Sequence, residues 1–445
     1  MKSATKDAFR NIKTACKQKL EEIYPKGLPE DIRSRCDQEL LFLEHSDYVD
    51  DFEIFRRFSG ETKKSSNAIS VRGTLSGSIL YFLLGNNCYN PLPPHYYCTE
   101  CGYYEPVKTR LFGIDLPQKK CPHCNSTVTA DGYNLPLESV WGNTGRKIIS
   151  FEYNVNSEFL PFARRVLRTA YPDSEIVPWG MFQLDTGSGS IHPDNRIIGI
   201  RLTGYAILPP GNTIQDYPDL ISYLENGDAC ITGNIWEMEE HMIKVIILFT
   251  SEYLDELVRL QRSTGIYFSE LGTKELREIT WSSIYNTSIP NNKSRILFQE
   301  YRPKSFKDMV ALDSCSHNSF VWQEGDNSRI DPGKFRKMIS GECFKKYPCF
   351  TREDFFDCMV ECKTERSLAF DASERIRKGH ANSNGKYRQQ FFDLPIPSEM
   401  KDIAGNYLYV FPRAHCIEYI LMYARLAYYA KADSRAFGRI VFRKR

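Results

Sequence analysis

Two short cysteine pairs, Cys98-Thr99-Glu100-Cys101 and Cys121-Pro122-His123-Cys124, stand nineteen residues apart in a chain of 445 residues. Each Cys-x2-Cys turn presents two thiolates, and two such turns close a tetrahedral four-sulfur site of the structural zinc type. The span from residue 91 to 135, rich in Pro, Gly and Cys, is therefore expected to be a loop-built module organised around zinc held by Cys98, Cys101, Cys121 and Cys124. A fully ligated ion leaves no open coordination position and no free nucleophile, so a redox role is not expected there. His95 and His123 are read as spectators. The other cysteines, Cys16, Cys36, Cys88, Cys230, Cys315, Cys343, Cys349, Cys358, Cys362 and Cys416, form no pattern and read as small packing residues. The chain starts Met1-Lys2-Ser3-Ala4-Thr5-Lys6 without an apolar signal core, and no run approaches the ~18 to 20 apolar residues of a membrane span. The expectation is a reduced, soluble, cytoplasmic protein with no membrane partner.

Length suggests two to four domains. A net charge of +2 with 26% charged residues creates no global field, so any surface for nucleic acid must be a local patch. Phe9, Ile12, Cys16, Leu20 and Ile23 recur at helical spacing, and Gly27-Leu28-Pro29-Glu30-Asp31 breaks that helix and starts another. Arg72-Gly73-Thr74-Leu75-Ser76-Gly77-Ser78 is a small-residue turn feeding the apolar run Ile79 to Gly85, and backbone amides in such a turn can cradle a phosphate. Strands are expected over Lys147 to Val155, Arg196 to Leu208 and Met242 to Phe249. Beyond residue 265 the pattern is helical with Pro and Gly breaks, ending in an apolar, Tyr-rich helix from Ala414 to Ala430.

Asn90-Pro91-Leu92-Pro93-Pro94-His95-Tyr96-Tyr97-Cys98, Gly113-Ile114-Asp115-Leu116-Pro117 and Cys121-Pro122-His123-Cys124 together resemble the zinc-bearing segment of the PolC-type DNA polymerase III alpha subunit. Upstream, Leu28-Pro29-Glu30 and Arg72-Gly73-Thr74 resemble that family's lead-in and its Ser-Arg-Gly-Ser turn. Downstream, Asp131-Gly132-Tyr133-Asn134-Leu135-Pro136-Leu137-Glu138 runs on without a gap. Arg302-Pro303-Lys304-Ser305-Phe306, Ser316-His317, Val321-Trp322, Ser367-Leu368-Ala369-Phe370, Arg377-Lys378-Gly379, Phe411-Pro412-Arg413-Ala414-His415 and Tyr419-Ile420-Leu421-Met422 follow in family order.

The resemblance implies an α+β chain: a polymerase-beta-like palm, with a mixed sheet and helices, that carries the four-Cys zinc module and continues into a mainly helical fingers domain. The expected division is 1–90 for the N-terminal helical lead-in, 91–135 for the zinc module, 136–265 for the palm and 266–445 for the fingers-like domain. It also implies a core without the family's PHP, exonuclease, OB and duplex-binding parts, and no clamp-binding peptide is recognised.

Nucleotidyl transfer needs two divalent ions held by converging carboxylates. In the family two aspartates come from a Pro-Asp-Ile-Asp-Leu-Asn-Phe strand. Here that strand reads Lys147-Ile148-Ile149-Ser150-Phe151-Glu152-Tyr153-Asn154, with Ser150 and Glu152 at the two positions. The third aspartate comes from Lys-Leu-Asp-Ile-Leu-Gly, here Lys244-Val245-Ile246-Ile247-Leu248-Phe249, which assigns Ile246 to it. One carboxylate of three does not meet the oxygen-ligand demand of Mg²⁺, so Mg²⁺ and polymerase catalysis are not expected at this site. A rescue would take acids from elsewhere, such as Asp185, Asp194 or Glu240. The family's His-Pro-Gly-Gly segment is likewise altered, to Arg201-Leu202-Thr203-Gly204.

By the same resemblance Arg72, Gly73, Lys147, Arg302, His317, Arg377, Lys378, Arg413, His415 and Arg425 are the candidates to face a nucleotide or a template backbone. The functional expectation is a degenerate polymerase core that binds DNA, another nucleic acid or nucleotide. The alternatives are a protein-interaction module, acting as regulator or decoy in replication or in phage or mobile-element conflict within a larger assembly, and an active nucleotidyltransferase with relocated metal ligands.

Overall fold

A computed structural model describes residues 3–62, 67–85, 88–184, 197–285, 289–323 and 330–441. The expected helix pair at the N-terminus spans Ser3–Ile23 and Glu30–Glu44, and a third helix, Val49–Thr62, follows. Asp185 and Asp194, along with the extreme C-terminus, lie outside the described residues.

The architecture is α+β, built around a mixed seven-stranded sheet. Its strands, numbered here in chain order, are β1 (Ile69–Val71), β2 (Glu152–Val155), β3 (Ile176–Leu184), β4 (Ile197–Ile207), β5 (Ile221–Tyr223), β6 (Ala229–Thr232) and β7 (Lys244–Thr250). The spatial order is β1-β2-β7-β4-β3-β6-β5. β2 and β7 run parallel at the centre, with Ile247 beside Glu152 and Phe249 beside Asn154. β4 pairs antiparallel with β7, bringing Gly204 opposite Ile247. Gly204 has φ 158, and a Cβ there would stand 2.0 Å from the Ile246 carbonyl oxygen, so only glycine fits this crossing. β1, which the reading from sequence passed over, adds an edge through Ser70 opposite Asn154. At three residues its periodicity is too short to register.

Side chains alternate across a strand, and the two faces of the sheet are covered differently. Tyr153, Val155, Ile246 and Leu248 point into one core with Phe52, Phe55 and Phe58 of the third helix and Ile12 and Leu20 of the first. Phe55 and Tyr153 stack with ring centroids 5.5 Å apart. The opposite face carries a smaller core of Val177, Trp179, Ala206, Ile231 and Ile247, covered by Met238 from the short helix Ile235–Glu240.

Residues 95–131 form a separate three-stranded sheet, His95–Tyr97 between Tyr104–Pro106 and Thr129–Asp131. The C-terminal half is helical, centred on the helix Arg413–Ala432. Fourteen of its twenty residues are buried, which accounts for its nearly continuous apolar sequence. Among the described residues no helix is long and apolar enough to cross a membrane.

Candidate functional site

The four cysteines converge as their spacing requires. Sγ atoms of Cys98, Cys101, Cys121 and Cys124 all lie within 4.8 Å of one another, with Cys98 to Cys124 and Cys101 to Cys121 both at 3.5 Å. Sulfurs about 2.3 Å from a central ion in a tetrahedron are separated by just under 4 Å, close to the spacing seen here, so the donor set could hold a metal ion. His95 is turned away, its Nδ1 at 2.8 Å from the Pro93 carbonyl, and His123 packs edge-on against Tyr103. Neither belongs to the ligand group among the described residues.

On the sheet, Glu152 is the single carboxylate of β2 and β7. It is half-buried. Ser150 Oγ donates to its Oε1 at 2.9 Å, and Arg72 Nε stands 3.9 Å from Oε2. Arg72 also donates its backbone N–H to the Glu152 carbonyl at 3.0 Å and lies over the Phe249 ring, 4.2 Å from its centroid. A guanidinium thus balances the carboxylate.

The third expected position is corrected by the register. Ile247, not Ile246, neighbours Glu152 on its face. Ile246 points to the opposite face, where it is 1% exposed among Tyr153, Tyr205 and Leu248. The alignment of residue types placed the strand correctly but could not set its register against β2, and a one-residue slip exchanges faces. Both isoleucines are apolar, so the face lacks that carboxylate on either assignment.

A different acid approaches from the C-terminal helix. Glu418 is 5% exposed, and its Oε1 accepts from Ser70 Oγ at 2.5 Å and Asn154 Nδ2 at 2.6 Å. Its Oε2 is buried without a hydrogen-bond partner among the described residues. Burial pushes its carboxyl pKa up to about 7, against the smaller opposing effects of those donors and of Arg72 and Arg425. The sequence offered one signal for it, a carboxylate inside an otherwise apolar helical run, which is costly unless partnered. Of the acids considered for a rescue, Glu240 is exposed on the helix Ile235–Glu240.

The cationic candidates divide sharply. Arg413, expected to face a ligand, is 2% exposed and bridges Asp354 at 2.9 Å and Asp357 at 2.7 Å, with a further bond to the Asn134 carbonyl. It ties the loop at Asn134 to the helical half, and its buried guanidinium is committed to these internal partners. Arg425 is 7% exposed and sits beside Phe268, so it too is internal. His415 packs against Gly73, where a Cβ would meet its Nε2 at 2.6 Å. Gly73, at φ 74, is required by this approach and by its backbone conformation. Burial, and then the nearby Arg72, lower the His415 pKa to about 3, so it is neutral and supplies no cation. Lys147 donates to the Ser139 carbonyl at 2.6 Å and reaches Glu374 at 4.0 Å. Burial lowers its pKa to about 8, with Arg352 adding to the effect. Arg377 shares Glu374, at 3.3 Å.

His317, half-buried, stacks on Phe411 at 4.5 Å and stands 3.9 Å from buried Asp313. Arg302 and Lys378 are exposed, Arg302 ending the helix Asn292–Tyr301 in the left-handed conformation. The reading from sequence missed Arg201. With Arg72, Asn154 and Tyr419 it lines a hollow of about 280 Å³ at the open end of β2 and β7, where its guanidinium donates to Thr250 Oγ1 at 3.0 Å.

Residues 10–171 match the bacterial DNA polymerase III alpha NTPase domain. Among curated proteins, the chain is similar to the PolC-type DNA polymerase III of Thermotoga maritima, at 25% identity over 92% of this chain and 33% of the relative. The corresponding protein of Bacillus subtilis is 24% identical over 95% of this chain and 32% of its own length. That of Lactococcus lactis is 24% identical over 93% and 28%. The chain therefore spans about a third of the length of the curated relatives it matches. The match to the alpha-subunit domain thus falls in the first half of the chain, and similarity to the PolC-type DNA polymerase III runs across more than nine-tenths of its residues.

Proposed function

We propose that this chain is a polymerase core that has given up two-metal nucleotidyl transfer and retains binding of nucleic acid or nucleotide. The observation that carries the reading is the composition of the central strand pair: β2 and β7 supply one carboxylate, Glu152, and Arg72 stands against it. Neither Mg²⁺ ion would find the oxygen ligands it needs there. Loss of several kcal/mol of ion-derived transition-state stabilisation costs about a thousandfold or more in rate. Glu418 does not restore the site, because its Oε1 is taken by Ser70 and Asn154 and one further carboxylate does not complete the ligand set.

Binding needs no such ions. Arg72 and Arg201 line one hollow, and charge-assisted bonds from guanidinium to phosphate oxygens supply affinity directly. In this reading residues 136–265 act as palm and 266–445 as fingers, and the four cysteines hold a structural zinc ion that shapes residues 91–135. The site of action is the cytoplasm. Primer extension with Mg²⁺ or Mn²⁺ tests the chemical half, and robust template-directed incorporation overturns it. Affinity for primer-template DNA over a salt series tests the other half: binding that weakens with salt is expected, and no binding at any salt concentration refutes it.

A further inference from the structure

We infer that the face of the sheet beside Ser150 and Glu152 is a protein-docking groove for an amphipathic, lysine- or arginine-bearing helix. A groove of about 390 Å³ runs between Ser150-Phe151, β7 and the helix Ile235–Glu240, within the range of roughly 300–1,000 Å³ typical of pockets that enclose ligands. Its floor is apolar, formed by Ile247 and Met238, which are 5% and 1% exposed. Its walls carry Ile148 and Met242, which are 80% and 79% exposed, and Ile235 at 46%. Singly exposed apolar residues are ordinary, but three converging on one groove with an apolar floor form a patch. Met242 holds its position at φ 56, in the left-handed region that a methionine rarely adopts.

The charges select the partner. Asp47 and Glu239 line the groove, and Asp50 and Glu240 adjoin them as exposed acids. Among the described residues the single cation lining it is Lys244, which is spent on buried Asp51 at 2.7 Å. A phosphate backbone is repelled by this rim, since protein surfaces that bind nucleic acid are basic. A helix whose apolar side chains enter the groove and whose cations meet the acids is complementary on both counts. This surface is distinct from the Arg72 and Arg201 hollow, so polyanion binding and helix docking are separately testable.

The probe is a fluorescein-labelled synthetic helix of leucine and lysine, titrated into the whole chain by fluorescence anisotropy at near-physiological salt. Ile148→Glu and Met242→Glu should each weaken binding at least about tenfold. Asp47→Lys should weaken it less, and a leucine-to-serine version of the peptide should not compete. Both wall residues are largely exposed, so the substitutions leave the core packing intact, and circular dichroism confirms this. Unchanged peptide affinity in both glutamate variants overturns the proposal. So does displacement of the peptide by duplex DNA whose own binding those variants weaken, which assigns the groove to nucleic acid. Self-association in sedimentation equilibrium that the same variants abolish also overturns it, because the occupant is then a second copy.

Discussion

The cysteine module and the β2–β7 strand pair both bring metal-type ligand positions together, and they differ in how far apart in sequence the converging residues lie. In the module each knuckle is a local turn, so two short motifs build most of the site, and all four sulfurs are present within 4.8 Å of one another. On the strand pair the positions come from segments about ninety residues apart, and the face holds one carboxylate balanced by Arg72. The cysteine cluster sits in a module with a small core of its own, including Tyr96, Leu116 and Val128, whereas the strand pair belongs to a sheet stabilised from its other face by Tyr153, Leu248 and their aromatic neighbours.

The largest expected effect lies on the module side. Cys121→Ser should abolish stoichiometric zinc in elemental analysis and unfold residues 91–135, since structural zinc contributes on the order of 10 kcal/mol in small domains. A variant that melts like the zinc-loaded wild type breaks the comparison. Next is Arg413→Ala, which leaves buried Asp354 and half-buried Asp357 without their cation. It should cost about 3–5 kcal/mol in urea unfolding, and a stable variant deficient only in DNA binding would show that the residue serves the ligand instead.

Glu418 ranks third. Its folded pKa, about 7, lies above the unfolded carboxylate value, so the native state binds more protons between roughly pH 4.5 and 7. Stability should therefore fall as pH rises through that window. Glu418→Gln should remove this dependence and raise stability at pH 8 by roughly 2–3 kcal/mol, read as a shift in urea midpoint. Equal pH profiles for variant and wild type sink the assignment.

The smallest effects belong to the exposed cations. Arg302→Ala and Lys378→Ala should leave stability within about 0.5 kcal/mol. If these residues meet phosphates, each should lower the salt slope of DNA binding by about one. Unchanged slopes would remove Arg302 and Lys378 from the phosphate-contacting set.

The cysteine knuckles, the N-terminal helices, the helix Arg413–Ala432 and the three sheet strands β2, β4 and β7 were legible because each is a short-range pattern of spacing or period. The order of motifs carried the family resemblance, and the single carboxylate of β2 and β7 was visible as a residue type. Sequence reasoning failed wherever the answer depended on partners distant in the chain. Arg413, Arg425 and His415 read as ligand contacts because a cation in a motif does not announce its burial. Arg413 meets acids on Arg352–Glu361, more than fifty residues earlier. Glu418 reaches Asn154 across 264 residues.

By itself, then, the sequence determined which chemistry was present: four thiolates at metal spacing, one carboxylate on the central strand pair, and apolar helices for a large core. Tertiary structure decided which way that chemistry faces. Strand register turned Ile247 rather than Ile246 toward Glu152, burial withdrew Arg413 and neutralised His415, and packing of the helix Ile235–Glu240 left an acid-rimmed apolar groove. The reason is geometric: side-chain identity is local, but the face of a strand and the solvation of a charge are set by the neighbours that folding supplies.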